Sequence, residues 1–313
     1  MTGLEPRFTL PDNTPRSSRQ EIAIGGILVY VYGLKELDAF TDRLTILYLA
    51  HNRTRTYLVT EGIAHEVLYR YNEDKGASNL PLIAVTFNMR NHGDRMVSES
   101  ANRTWKDGNE LHGIDLLSSI DGSADDFKLV MKYLPGYLGF SGKIYSVLGG
   151  VSLGAHTAWR LTSELPNLVG MFAVVGCPNL TGLLCSRLGI EVKKNGVLIP
   201  SHEFYRLPYD QLVSYMDDIQ RARWPRWLHD IVRSGDSAIQ DGGFPKNVKL
   251  LLQNGAKDPL VPAHYTTQWV NSVSRKERDI EYFVQENTGH SCTKEMVCNI
   301  AAWLGKILQV EEN

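Results

Sequence analysis

Short apolar runs alternate along the chain with stretches of helical spacing, and the alternation predicts an α/β protein built on a mostly parallel sheet. Residues 21–33 are rich in β-branched and apolar side chains and predict early strands. Residues 43–50 read as a buried strand, 60–72 carry helical spacing, and 82–87 are the next strand. Residues 93–121 are long and polar and are expected to wind over the surface. A helix should follow over 123–134, capped by Ser123 or Asp121 and stopped by Pro135. Further strands are expected at 143–148, 169–175, 249–252 and 279–284, with a helix from Ala155 after the first of them.

From about 180 to 244 the strand rhythm stops. Tyr205, Tyr209, Tyr215, Trp224 and Trp227 fall in this stretch, and 211–219 has helical spacing. Because it separates two core strands, it reads as a helical lid (180–244) inserted into a core made of 19–179 and 245–313. Residues 1–18 are rich in Pro, Arg and Ser and read as a loose N-terminal arm.

Composition narrows the class. A chain of 313 residues with 43% hydrophobic content suits one large domain with an insertion. A formal net charge of -2 supplies no basic field for nucleic acid. No run of about 18 apolar residues occurs, so no membrane span is expected. The start, Met1-Thr-Gly-Leu-Glu-Pro-Arg7, lacks the basic and apolar regions of a signal peptide, and the cytosol is the expected compartment. Cys177, Cys185, Cys292 and Cys298 form no C-x-x-C pair and are expected to be reduced thiols. His65 has no second histidine four residues on, and no Cys/His cluster has zinc spacing. The glycines form neither a phosphate-binding nor a dinucleotide fingerprint, so no metal and no organic cofactor are expected. The expected partner is a small-molecule substrate, with a homodimer as the candidate assembly.

The candidate chemistry begins at Gly150-Val151-Ser152-Leu153-Gly154, a G-x-S-x-G between a predicted strand and a predicted helix. A serine on such a turn points its hydroxyl out of the fold, and glycines permit the close packing that the turn needs. A nucleophilic serine needs a base to take its proton, and the base needs an acid to orient it. Asp258 lies in the turn-rich loop after the strand at 249–252, and His290 in the loop after the strand at 279–284. Parallel strands bring such loops to one edge of the sheet, where distant residues can converge.

On these motifs the chain resembles the α/β-hydrolase superfamily from about Ile22 to Leu308. It is also similar to uncharacterised hydrolases of filamentous fungi at Phe87-Asn-Met-Arg90-Asn-His92-Gly93. The resemblance implies Ser152 as nucleophile, His290 as base and Asp258 as acid. It implies oxyanion donors at the N–H of Leu153 and in the loop His51-Asn52-Arg53-Thr54, where the N–H of Arg53 is the best match. Asn52 stands where similar proteins have glycine, and asparagine tolerates the positive φ of such a turn.

Other residues have competing readings. His156 is expected to pack beneath the nucleophile helix rather than to serve as the base. Arg90 and His92 read as a structural turn or salt bridge, with a substrate contact as the alternative. Arg53 and Arg55 read as solvated charges, and Arg53 alternatively as a greeter of acidic substrates. Tyr205, Trp224 and Trp227 read as lid core or as the lining of an apolar substrate pocket.

The expected activity is hydrolysis of a carboxylic ester, lactone or thioester through an acyl-serine. Two other classes compete: an acyltransferase, lyase or condensing enzyme of a fungal metabolite pathway, and a ligand-binding protein with a vestigial site.

Overall fold

The computed structural model of the chain describes residues 3–38, 41–73, 79–165, 168–241, 244–273 and 278–309. The chain enters through an antiparallel hairpin, β1 (Arg19–Ile24) and β2 (Ile27–Tyr32). It then alternates: β3 (Arg43–Ala50), α1 (Tyr57–Glu73), β4 (Leu82–Phe87), α2 (His112–Leu138), β5 (Lys143–Val151), α3 (Leu153–Thr162) and β6 (Gly170–Val174). An insertion follows, with α4 (Leu180–Arg187), a hairpin of β7 (Val192–Lys194) and β8 (Val197–Ile199), α5 (Tyr209–Leu212), α6 (Asp218–Arg223) and α7 (Arg226–Gln240). β9 (Lys249–Gly255), α8 (His264–Ser272), β10 (Ile280–Gln285) and α9 (Lys294–Ile307) complete the fold.

Eight strands form one sheet in the order β1-β2-β4-β3-β5-β6-β9-β10. β2 pairs antiparallel with β1 and with β4, and every later pairing is parallel. Both faces of the sheet are covered. Along β3, Leu44, Ile46 and Tyr48 join the core under α2, α3 and α8, while Leu47 and Leu49 join the core under α1 and α9. Burial on both faces explains why these strands read as continuous apolar runs. Each fully buried Leu, Ile or Val contributes about 1.5–3 kcal/mol.

Three expectations change. The second helix begins at His112, not Ser123, and does not stop at Pro135. Leu116, Leu117, Ile120, Ala124 and Phe127 recur at three- or four-residue spacing and are all buried, so the helix starts where its apolar face starts. Proline removes one donor but does not force an end. The end comes at Gly139 (φ 64°), where Phe140 N–H donates to Pro135 O (3.1 Å). Ahead of the helix, residues 93–107 contain short 3-10 turns, as a winding surface segment would.

The insertion is mainly helical but also holds the β7–β8 hairpin. Its turn is Asn195-Gly196, with φ of 53° and 77°, the pair that two-residue hairpins favour.

The N-terminal arm is tied down from Glu5 onward. Glu5 N–H donates to Asn287 O (2.8 Å) and Phe8 N–H to Cys292 O (2.7 Å), so the arm runs along the loop that carries His290. Thr14 Oγ1 donates to the buried Glu66 carboxylate (2.6 Å). Composition suggested a solvated tail, but these backbone and hydroxyl donors find acceptors on distant segments.

Candidate active site

Ser152 is the single residue between β5 and α3, and its backbone sits at φ 55°, ψ -111°. A non-glycine residue at positive φ is held there by its surroundings. Ser152 N–H donates to Val174 O (2.9 Å), which ties the turn to the neighbouring strand. A Cβ at Gly154 would lie 2.1 Å from Ala50 O, and one at Gly150 would lie 2.2 Å from the carbonyl carbon of Gly154. Both glycines of the pentapeptide are therefore needed for close approach. The contact at Gly154 also sets the turn against the end of β3, where the His51–Thr54 loop begins.

The structure brings Ser152, His290 and Asp258 together. Ser152 Oγ lies 2.7 Å from His290 Nε2, and His290 Nδ1 lies 2.7 Å from Asp258 Oδ2. A carboxylate only accepts, so Nδ1 carries the proton and Nε2 is left to accept from the serine hydroxyl. The other oxygen of Asp258 accepts from Leu260 N–H (2.8 Å) and Val261 N–H (3.0 Å). Asp258 is 5% exposed, and the two backbone donors keep its orientation fixed. β5, β9 and β10 end side by side with β6, which explains why loops more than 100 residues apart meet at one edge.

Leu153 opens α3, so its N–H belongs to the helix's unpaired first turn. Across from it, the loop after β3 is anchored by His51. Its Nε2 accepts from Met89 N–H (3.0 Å), so Nδ1 bears the proton and donates to Asn52 O (2.9 Å). Arg53 and Leu153 line the large cavity with Ser152, whereas Asn52 lines a smaller hollow that Ser152 and His290 also border, together with Phe8 and Cys292. The left-handed residue of the loop is Thr54 (φ 61°), not Asn52, so the positive φ expected at Asn52 is not found there.

Burial holds His51 neutral, with its pKa lowered to about 4. His112 is lowered to about 4 and His156 to about 3, in both cases first by burial. Folded-state values below the ordinary 6.5 mean that unfolding takes up protons as pH falls, so this stability is complete above pH 6.5 and is lost toward pH 4. Asp236, pushed up to about 6 by burial, runs the other way and offsets one of the three. Urea unfolding should show a net loss on the order of a few kcal/mol between pH 7 and pH 5. His51→Gln should reduce that loss. Equal stability at both pH values would contradict neutral buried histidines.

The opening above Ser152 is a cavity of ≈ 350 Å³, within the range of small-molecule sites. Besides Ser152, Leu153 and His290, its walls include Trp105 in the turns ahead of α2, His112 at the start of α2, Leu183 and Arg187 of α4, and the Pro259–Pro262 loop. Sequence reasoning missed all of these. Arg187 ends a helix, where a cation reads as a dipole partner, and only the folded chain shows its bond to Leu260 O.

The three aromatic candidates do not line this cavity. Trp224 is fully buried and donates to His229 Nδ1 (3.2 Å). Trp227 is 57% exposed on the outer side of α7. Tyr205 borders a separate hollow with His202, Gln268 and Trp269. Trp224 instead joins the hydrophobic core on the α2 and α3 side of the sheet, and Tyr205 is buried away from Ser152.

Arg53 is not a freely solvated charge: it is partly buried and donates through Nη1 to Asn102 O (2.5 Å), while Arg55 is exposed. Arg90 forms a two-pronged pair with Asp126 (3.0 and 3.1 Å), and His92 Nδ1 lies 2.8 Å from Arg90 O, so both brace the loop after β4. His156 is buried, with Nδ1 3.2 Å from Cys177 O, and does not bond the Ser152 hydroxyl. Among the described residues, no group of three or more His, Cys, Asp or Glu could hold a metal ion, and no helix is long and apolar enough to cross a membrane.

No family model matches the sequence, and no curated protein matches it. Solved structures do. TT1662 from Thermus thermophilus superposes with a TM-score of 0.61 at 17% identity, over 95% of this chain and 100% of that one. Esterase PE8 superposes at 0.52 with 14% identity, over 94% of this chain and 100% of its own. A puromycin-hydrolyzing peptidase of Mycobacterium tuberculosis also superposes at 0.52, with 13% identity over 96% of this chain, which spans 41% of the peptidase's length. Sheet order, the strand–serine–helix turn and these likenesses agree: the chain has the α/β-hydrolase fold.

Proposed function

We propose that the protein is a serine hydrolase that cleaves a carboxylic ester, lactone or thioester of a small molecule through an acyl-serine intermediate. The observation that carries this reading is the hydrogen-bonded series Ser152–His290–Asp258 at the floor of a cavity of substrate size.

The Ser152 hydroxyl attacks the carbonyl carbon while His290 Nε2 takes its proton. Asp258 stabilises the imidazolium without taking the proton itself. The backbone N–H groups of Leu153 and Arg53 donate to the oxyanion, a role that depends on donors being in place before charge develops. The leaving group departs with the proton held by His290. Water then attacks the acyl-serine, gives a proton to His290, and releases the acid and Ser152.

The folds of an esterase and of a peptidase resemble this one, which is compatible with acyl chemistry without choosing the substrate. α4 supplies Leu183, Ser186 and Arg187 to the cavity wall, which supports reading the insertion as a lid that shapes access. All four cysteines are free, in keeping with a reducing compartment.

Turnover of p-nitrophenyl acetate and butyrate, with and without an added alcohol, tests the reading. The expected result is steady release of p-nitrophenol with free acid as the main product in both conditions. Predominant transfer to the alcohol would favour an acyltransferase. Absence of turnover together with absence of fluorophosphonate labelling would remove the hydrolase reading.

A further inference from the structure

The cavity above Ser152 holds two arginines that form no ion pair among the described residues. Arg53 donates to Asn102 O (2.5 Å), and Arg187 donates to Leu260 O (2.6 Å). Among the described residues, no carboxylate lies within salt-bridge distance of either, and both are partly buried. The carboxylates that act on them at longer range are Asp107, which is exposed, and Asp258, which is already bonded to His290.

The two guanidinium groups share one neighbourhood. Arg53 repels the charge on Arg187, and both act on His112 in the same wall. Burial lowers the pKa of each. Taking cations out of water without a counter-charge costs free energy, and bringing two together costs more. Several other arginines of the fold have carboxylate partners: Arg90 and Arg95 share Asp126, Arg160 meets Asp121, and Arg223 meets Glu110. What sets Arg53 and Arg187 apart is that they share one cavity with the nucleophile.

A guanidinium has five N–H donors in a planar fork. Tying a loop through one carbonyl uses one of them and leaves the fork available to a ligand. A carboxylate matches that fork with two parallel hydrogen bonds.

We propose that the preferred substrate is an acidic ester, whose free carboxylate binds Arg53 and Arg187 while its ester carbonyl meets Ser152. This inference rests on the hydrolase reading above and adds a substrate class to it.

The test compares p-nitrophenyl hemiglutarate with its methyl ester, which has nearly the same length and no charge. Wild type should favour the acidic ester by at least about tenfold in kcat/KM, mostly through KM, and the preference should shrink at high ionic strength. Arg187→Gln should reduce the preference by about tenfold, and Arg187→Lys by less. Arg55→Gln, at an exposed arginine outside the cavity, should retain the wild-type preference.

Equal wild-type turnover of the two esters would overturn the inference and leave the hydrolase reading standing. Turnover of neither, with no fluorophosphonate labelling, would instead mark failure of that reading. Should Arg187→Gln not fold, inhibition of the wild type decides. Glutarate should compete with the methyl ester, less strongly at high salt, whereas glutaramide should not. No inhibition by glutarate, or stronger inhibition by inorganic phosphate, would overturn the carboxylate assignment.

Discussion

Ser152→Ala is expected to lower kcat by a factor approaching ~10⁶ while leaving the protein folded. The substitution removes one hydroxyl at the end of a hydrogen bond to a half-buried histidine. Alanine occupies the same strained φ as serine, so the turn itself gains no new clash. The loss of stability should stay within about 1 kcal/mol. Loss of activity through unfolding would thus be distinguishable from loss of the nucleophile by a single melting curve. A fluorophosphonate should label wild type at Ser152 and leave the variant unmodified. Wild-type turnover by the variant, or labelling at another residue, would contradict the mechanism.

Asp258→Asn should cost about 10⁴ in kcat for a reason specific to this site. One oxygen of Asp258 is held by two backbone donors, Leu260 N–H and Val261 N–H. An asparagine must keep its carbonyl oxygen there, because its NH₂ cannot accept. The NH₂ then faces His290 Nδ1, where the carboxylate oxygen now lies. That nitrogen would have to become an acceptor, which moves the ring proton to Nε2. A protonated Nε2 can no longer take the proton of Ser152. The geometry should remain nearly unchanged, so kcat should fall while binding of a competitive inhibitor persists. A variant with wild-type kcat would remove Asp258 from its proposed role.

Much of the framework was legible because the signals are local. Strands buried on both faces are mostly apolar, and β3, β4 and the Leu250–Leu252 run of β9 stand out for that reason. The G-x-S-x-G pentapeptide reports close packing of backbone on backbone, which no residue with a Cβ could replace at Gly150 or Gly154. Asp258 and His290 were legible from their positions just after strands, given that parallel strands end at one edge.

The misreadings share another cause. The aromatics of the insertion looked like pocket residues because composition cannot tell an inward face from an outward one. Trp224 turned into the main hydrophobic core, and Trp227 turned out to solvent. The polar look of residues 93–121 hid the first turns of α2, whose buried face mixes His112 and Gly113 with leucines. Pro135 was read as a stop, yet the helix ends only where Gly139 can adopt a left-handed cap.

By itself the sequence determined the succession of the core strands, the serine turn and the strand-end positions of three residues able to form a proton relay. These follow from periodicity, backbone stereochemistry and the single direction of a parallel sheet. Only the tertiary structure decided the walls of the cavity, the docking of the N-terminal arm and the company of Arg53 and Arg187. Arg187 meets Leu260 across 73 positions and Arg53 meets Asn102 across 49. Contacts at such separation depend on how whole elements pack, and no local pattern of polar and apolar residues encodes which side chains will share a cavity.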